Sequence, residues 1–172
     1  FTTGTYDARR EFYKTNAPAM DILVSSNLER LVWFMVNGDS EKVNKYMEEL
    51  KETGVYKVDD ETLARVQKEF KAGCLGEEDV LKVIHDCWNE NKYLLDTHTA
   101  VGYGVYEEYV KNTGDTTKTI LLSTASPYKF PESVYQALTG EEVDVYTAIE
   151  KLHDLTGMDI SYPLKGIKNR EI

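Results

Sequence analysis

The chain has 172 residues, of which 41% are hydrophobic. Its mass of 19.7 kDa and mean hydropathy of -0.47 describe one ordinary globular domain, not a disordered tract or a membrane protein. The 30 acidic and 20 basic residues leave a formal charge of -10 and a pI near 4.8. That charge argues against a nucleic-acid partner, because such binding is driven by phosphate neutralisation. It leaves room for a small anionic ligand held at a helix terminus. No apolar run reaches the ~18 residues that a bilayer span needs, so no membrane partner is expected. The only cysteines are Cys74 and Cys87. They do not make a disulfide scaffold, and a reducing, cytoplasmic setting is the simplest expectation. The chain opens on Phe1 without a methionine, and we expect an excerpt of a longer protein.

In chain order, Met20 to Val24 is short and β-leaning and reads as a buried strand. Ser26 followed by Glu29 has the spacing of a capping box, so a helix should start there. Its body, Leu28 to Val36, is apolar on nearly every side, which reads as buried all round, and Gly38 is its left-handed stop. Asp39 or Ser40 caps a second helix to about Thr53, with Val43, Tyr46, Met47 and Leu50 on one stripe. Asp59 and Asp60 precede a third, with Leu63, Val66 and Phe70 on one face and Gly73 as its end. A fourth runs from about Glu77 to Glu90, and a fifth, capped by Asp96 or Thr97, reaches Asn112. Lys118 to Ser123 is the clearest strand in the sequence and leads into the polar turn Thr124-Ala125-Ser126-Pro127. Pro131 opens a helix to Thr139, and Asp144 starts the last one, with Val145, Ile149 and Leu152 on its stripe.

Seven helices with two strands suggest part of an α/β domain, since two strands make a poor sheet on their own and strand–turn–helix units usually belong to a larger parallel sheet. We expect residues 1–38 to belong to that α/β domain, 39–92 to form a helical insertion, and 93–172 to supply the remainder and the C-terminal helices.

Several residues invite chemistry. Cys74, His85 and Cys87 match no closed zinc spacing, and Cys87 lies on an apolar stripe, so no metal site is expected. Asp96 and His98 read either as a carboxylate–imidazole pair or as a helix cap. Ser25, Ser26 and Asn27 at a helix start offer hydroxyls and free amides to a phosphate or carboxylate, although capping alone explains the pattern. Ser123 and Thr124 follow a strand whose C-terminal end would face the ligand crevice of an open α/β sheet; an ordinary turn explains them equally well. Tyr103, Tyr106 and Tyr109 read as packing, and the acidic faces between residues 39 and 80 as solvated helix surface.

Three of these segments together resemble the threonine synthase family. Ala17-Pro18-Ala19-Met20-Asp21-Ile22-Leu23-Val24-Ser25-Ser26-Asn27-Leu28-Glu29-Arg30-Leu31 is similar to a signature of that family. Leu95-Asp96-Thr97-His98-Thr99-Ala100-Val101-Gly102 is similar to its Asp-Pro-His-Thr-Ala-Val-Gly stretch, and Ser123 to Pro131 looks like its Thr-Ala-His-Pro-x-Lys-Phe segment. The resemblance implies the C-terminal part of a fold-type II pyridoxal-phosphate enzyme, of the tryptophan-synthase-β group, that is helix-rich with about two parallel strands in this stretch. Such enzymes convert O-phosphohomoserine and water to threonine and phosphate. It further implies that Thr124, with Ser123 as the neighbouring alternative, bonds the pyridine nitrogen of pyridoxal 5'-phosphate. Ser26, Asn27 and His98 are candidates for the substrate. The Schiff-base lysine and the glycine-rich phosphate loop of the family lie upstream of these segments, so no catalytic residue is assigned here and the chain alone is expected to be inactive. Thr97 stands where the family usually has proline, and Ser126 where histidine is frequent, so no role of that histidine carries over.

Two other readings compete. A non-catalytic acidic helical interaction domain accounts for the charge but not for three ordered segments resembling one enzyme. Another pyridoxal-phosphate lyase of the same fold group would share Thr124. If the sheet is incomplete, uncovered strand edges should favour self-association.

Overall fold

The computed structural model describes residues 1–170. These fall into two compact units, one made of Phe1–Lys14 and Ala19–Gly73, the other of Thr15–Pro18 and the chain from Cys74.

The first unit is built on a short antiparallel ribbon. Strand β1 (Thr5–Asp7) pairs with β2 (Val55–Lys57), Tyr6 standing opposite Tyr56. Helices α1 (Ser26–Met35), α2 (Ser40–Thr53) and α3 (Asp60–Glu69) complete it. Its core is Val32, Val36, Val43, Tyr46, Tyr56 and Val58. The Tyr56 ring stacks against Tyr6 on one side and Tyr46 on the other, each at 5.5 Å between centroids. Tyr6 also organises the approach to α1. Its hydroxyl donates to the Leu23 carbonyl at 2.6 Å and accepts from the Ser25 amide at 3.0 Å.

The second unit is helical. Helices α4 (Glu77–Asn91), α5 (Thr97–Thr113), α6 (Pro131–Thr139) and α7 (Val145–Thr156) enclose a core that includes Ile84, Leu95, Ala100, Tyr128, Val134, Ile149 and Leu152. Helix α4 packs on both α5 and α6, and α6 on α7. Ile84, Val134 and Leu152 are each 0% exposed, and full burial of such side chains stabilises by roughly 1.5–3 kcal/mol apiece. Asn16 joins this unit through polar contacts, its amide donating to Glu77 Oε1 at 2.9 Å and its Oδ1 accepting from Ser133 Oγ at 3.2 Å.

The aspartate caps are as expected. Asp39, Asp59, Asp96 and Asp144 each accept from an amide in the first turn of the helix that follows. Six expectations need correction. Among the described residues the only sheet is the antiparallel β1–β2 pair, so the expected parallel strands are not present. Lys118 to Ser123 has no regular secondary structure and no strand partner, with Ile120 83% and Leu122 75% exposed. A β-prone sequence forms a strand only when a neighbour receives its backbone groups, and none is supplied here. Met20 to Val24 is likewise not a strand, and Pro18–Met20 forms one 3-10 turn. Helix α1 is amphipathic, not buried all round: Val32 is its buried residue, while Trp33 and Phe34 are exposed. Its N-cap is Ser25, without a side-chain cap bond, so the Ser26–Glu29 box does not form. Helix α3 ends earlier than Gly73, at Glu69.

Candidate functional site

Of the residues singled out in the sequence, Ser26 and Asn27 lie in the first unit, and His98, Ser123 and Thr124 in the second. Ser26 and Asn27 are both exposed on the first turn of α1, and Asn27 Oδ1 accepts from the Arg30 guanidinium. The second unit brings His98, Thr99 and Thr124 together.

The start of α5 is a sealed polar knot. Asp96, 1% exposed, accepts from the His98 amide at 2.9 Å and the Thr99 amide at 3.3 Å through Oδ1. Its Oδ2 accepts the Thr99 hydroxyl. A buried carboxylate needs this many donors to offset its lost hydration. His98 Nδ1 lies 3.3 Å from Asp96 Oδ1, and its ring is tilted against Phe130 at 5.1 Å. His98 is only 6% exposed. Thr97, where proline resembles the family better, is fully buried and its Oγ1 sits 3.4 Å from His98 Nδ1.

Thr124 reaches this knot from 25 residues away: its amide donates to Thr99 Oγ1 at 3.0 Å. Its own hydroxyl lies 3.5 Å from the same oxygen. Thr124 is exposed and borders a cavity of about 600 Å³ whose walls include Ser126, Lys129, Tyr146, Ile149 and Leu164. Ser123 is exposed but does not line this cavity. Ser126 Oγ accepts from the Tyr128 amide at 3.2 Å and so turns the chain beneath the opening. The cavity therefore offers several hydroxyls, that of Thr124 at its lip among them, the Lys129 cation and an apolar wall. This donor set suits the edge of an aromatic heterocycle, for which a neutral hydroxyl provides a donor or acceptor in the ring plane. Thr99 is the member of the site that sequence reasoning missed, since nothing local in a Thr at a helix start announces a partner 25 residues on.

The family model described as "Threonine synthase, C-terminal" matches residues 99–160. The threonine synthase of Saccharomyces cerevisiae is 36% identical over 152 residues, covering 80% of this chain and 30% of that protein. That of Eremothecium gossypii is 32% identical over 185 residues, covering 98% of this chain and 36% of that protein. The crystal structure of threonine synthase from yeast superimposes with a TM-score of 0.80 at 31% identity, over 99% of this chain and 34% of that one. The chain belongs to the threonine synthase family. It corresponds to the family's C-terminal portion and spans about a third of the length of these relatives. A threonine synthase from Brucella melitensis, described as PLP bound, is similar with a TM-score of 0.72 at 31% identity, over 94% of this chain and 33% of that one. Within the family match lie both Thr99 and Thr124, the two ends of the contact that frames the cavity.

Proposed function

We propose that this chain serves as the C-terminal part of a pyridoxal-phosphate-dependent threonine synthase that converts O-phosphohomoserine and water to threonine and phosphate. The observation that carries the reading is the Thr124 hydroxyl, exposed at a cavity of about 600 Å³ while its backbone is tied to buried Thr99. The residues present fit one end of the cofactor. Thr124 holds the ring nitrogen, and Ser123, outside the cavity lining, is the weaker claimant. Pyridoxal phosphate, when bound, supplies the electron sink for chemistry at the substrate's carbons. A neutral hydroxyl opposite the nitrogen stabilises the ring without forcing a proton onto it. Ile149, Leu164 and Tyr146 exclude water along the cavity's apolar wall. Ser26 and Asn27, at the exposed amides of the first turn of α1, are assigned to an anionic group of the substrate. His98, buried between Asp96 and Phe130, is assigned to the support of the α5 start.

The chain alone is inactive in this reading, because the family's cofactor-bearing lysine belongs to the upstream portion and no base is positioned without it. Two measurements test the proposal. The isolated chain with pyridoxal phosphate and O-phosphohomoserine should release no phosphate above blank. In the full-length protein Thr124→Val should weaken cofactor affinity and lower phosphate release; wild-type values for both would remove Thr124 from the site.

A further inference from the structure

The hydrogen bonds around Thr99 have a fixed direction. The Thr99 hydroxyl donates to Asp96 Oδ2, so its single hydrogen is committed there. What remains on Thr99 Oγ1 is acceptor capacity, and it faces Thr124: the amide donates to it at 3.0 Å and the Thr124 Oγ1 lies at 3.5 Å. The Asp96 cap does not need this arrangement. Asp96 already receives two amides of the first turn, which is what an N-cap requires. The contact to Thr124 is extra to the cap. Among the described residues, the segment from Lys118 to Ala125 has no backbone-to-backbone hydrogen bond. The bond from Thr124 N–H to Thr99 is therefore the tie that fixes the lip of the cavity.

We propose that Thr99 is a positioning residue: anchored by Asp96, it holds the Thr124 backbone so that the Thr124 hydroxyl meets the ring nitrogen of pyridoxal phosphate. Thr99 does not touch the cofactor. It takes no hydrogen from the cofactor side, because its acceptor sites are turned to Thr124, and it gives none, because its hydrogen goes to Asp96. At 3.5 Å the Thr99 oxygen is a distant acceptor for the Thr124 hydroxyl, so the Thr124 hydrogen can turn from it to a nearer heterocyclic nitrogen. This inference rests on the assignment of Thr124 to the cofactor made above.

The test uses the full-length protein, with amide exchange at single-residue resolution as a readout that does not depend on activity. In the wild-type protein without cofactor, the Thr124 amide should exchange more slowly than those of Ser123 and Ala125; exchange as fast as its neighbours overturns the proposal, whatever any variant does. Thr99→Ser keeps the oxygen and should preserve both the slow amide and the affinity for pyridoxal phosphate. Thr99→Val should release the Thr124 amide, weaken pyridoxal phosphate binding by about tenfold, the scale of one net hydrogen bond, and shift the absorbance maximum of the bound cofactor. Wild-type affinity and absorbance in Thr99→Val, with Thr124→Val impaired, overturns the positioning role. Wild-type cofactor binding in Thr124→Val instead overturns the functional reading beneath it.

Discussion

The Tyr128 hydroxyl donates to the Met158 carbonyl at 2.7 Å, and His153 Nδ1 reaches the same oxygen, also at 2.7 Å. A carbonyl oxygen has two lone pairs, so this pair of contacts saturates it. Tyr128 is 3% exposed, and burial pushes its phenol pKa up. It stands four residues beyond Thr124, so the bond ties the far end of the cavity loop to the chain that follows α7.

Tyr128→Phe removes one of the two donors and leaves the ring in place. Because His153 still satisfies the Met158 carbonyl, no buried acceptor is orphaned, and the loss should be about 1 kcal/mol, not the larger penalty of an unpaired group. The denaturant midpoint of the variant measures this; a loss above about 3 kcal/mol would mean that the hydroxyl does more than this one bond.

Asp59 joins three elements of chemistry at the start of α3. It accepts from Lys42 Nζ at 2.5 Å, Tyr46 Oη at 2.8 Å and the Thr62 amide at 2.9 Å. The Lys42 ammonium first, and then the Thr62 amide, hold its carboxyl well below the usual carboxylate range. Since the folded value lies below the unfolded one of about 3.9, the stabilisation is complete above that pH and is lost as pH falls toward the folded value. Asp7, held at about 2 by Arg9, and Asp86, Asp115 and Asp144 decline in the same direction. The informative quantity is therefore the difference between the wild-type chain and Asp59→Asn. That difference in denaturation midpoint should be larger near pH 6 than near pH 3, roughly spanning the carboxylate range. A difference independent of pH would show that the Asp59 charge does not contribute.

Local signals in the sequence identify structure where the physics is local. Asp39, Asp59, Asp96 and Asp144 announce the helices they cap, because a cap involves only the next three residues. Strands depend on distant partners, and there composition misleads in both directions. Lys118 to Ser123 has the composition of a strand but no neighbour, while Thr5–Asp7 and Val55–Lys57 pair across 50 residues with too few residues to show an alternation. Helix α1 is apolar on faces that this chain does not cover, so its composition overstated its burial. Thr124 drew notice as a hydroxyl after a strand and gained a role only through the family resemblance, and Thr99 drew none, because the bond between them is set by tertiary structure.

Two glycines in α5 separate packing from helix propensity. A Cβ on Gly104 would stand 2.5 Å from Leu75 Cδ1 and 3.0 Å from Val83 Cγ2, whereas on Gly102 it would meet only Leu121 Cδ1 at 3.6 Å. Alanine gains about 1 kcal/mol of helix propensity at either place. At Gly104 overpacking against the branched Val83 opposes it by about 1–3 kcal/mol. Gly102→Ala should therefore raise the melting temperature and Gly104→Ala should lower it. A rise for both would mean that the α4–α5 approach at Gly104 is looser than these distances.

Ile120 and Leu122 are 83% and 75% exposed on a segment without a strand partner. Exposed apolar chain whose backbone groups make no backbone-to-backbone bond among the described residues is a template for pairing with another copy. At tens of micromolar, a range in which such edges associate, this polypeptide should sediment above its monomer mass of 19.7 kDa. Placing lysines at both positions, Ile120→Lys with Leu122→Lys, interrupts the apolar edge with charge and should return it toward the monomer. The helical circular dichroism should stay unchanged, because neither residue lies in a helix. If the unaltered chain already sediments as a monomer, the exposed segment is not an association site; if the double variant stays associated, the contact lies elsewhere on the surface.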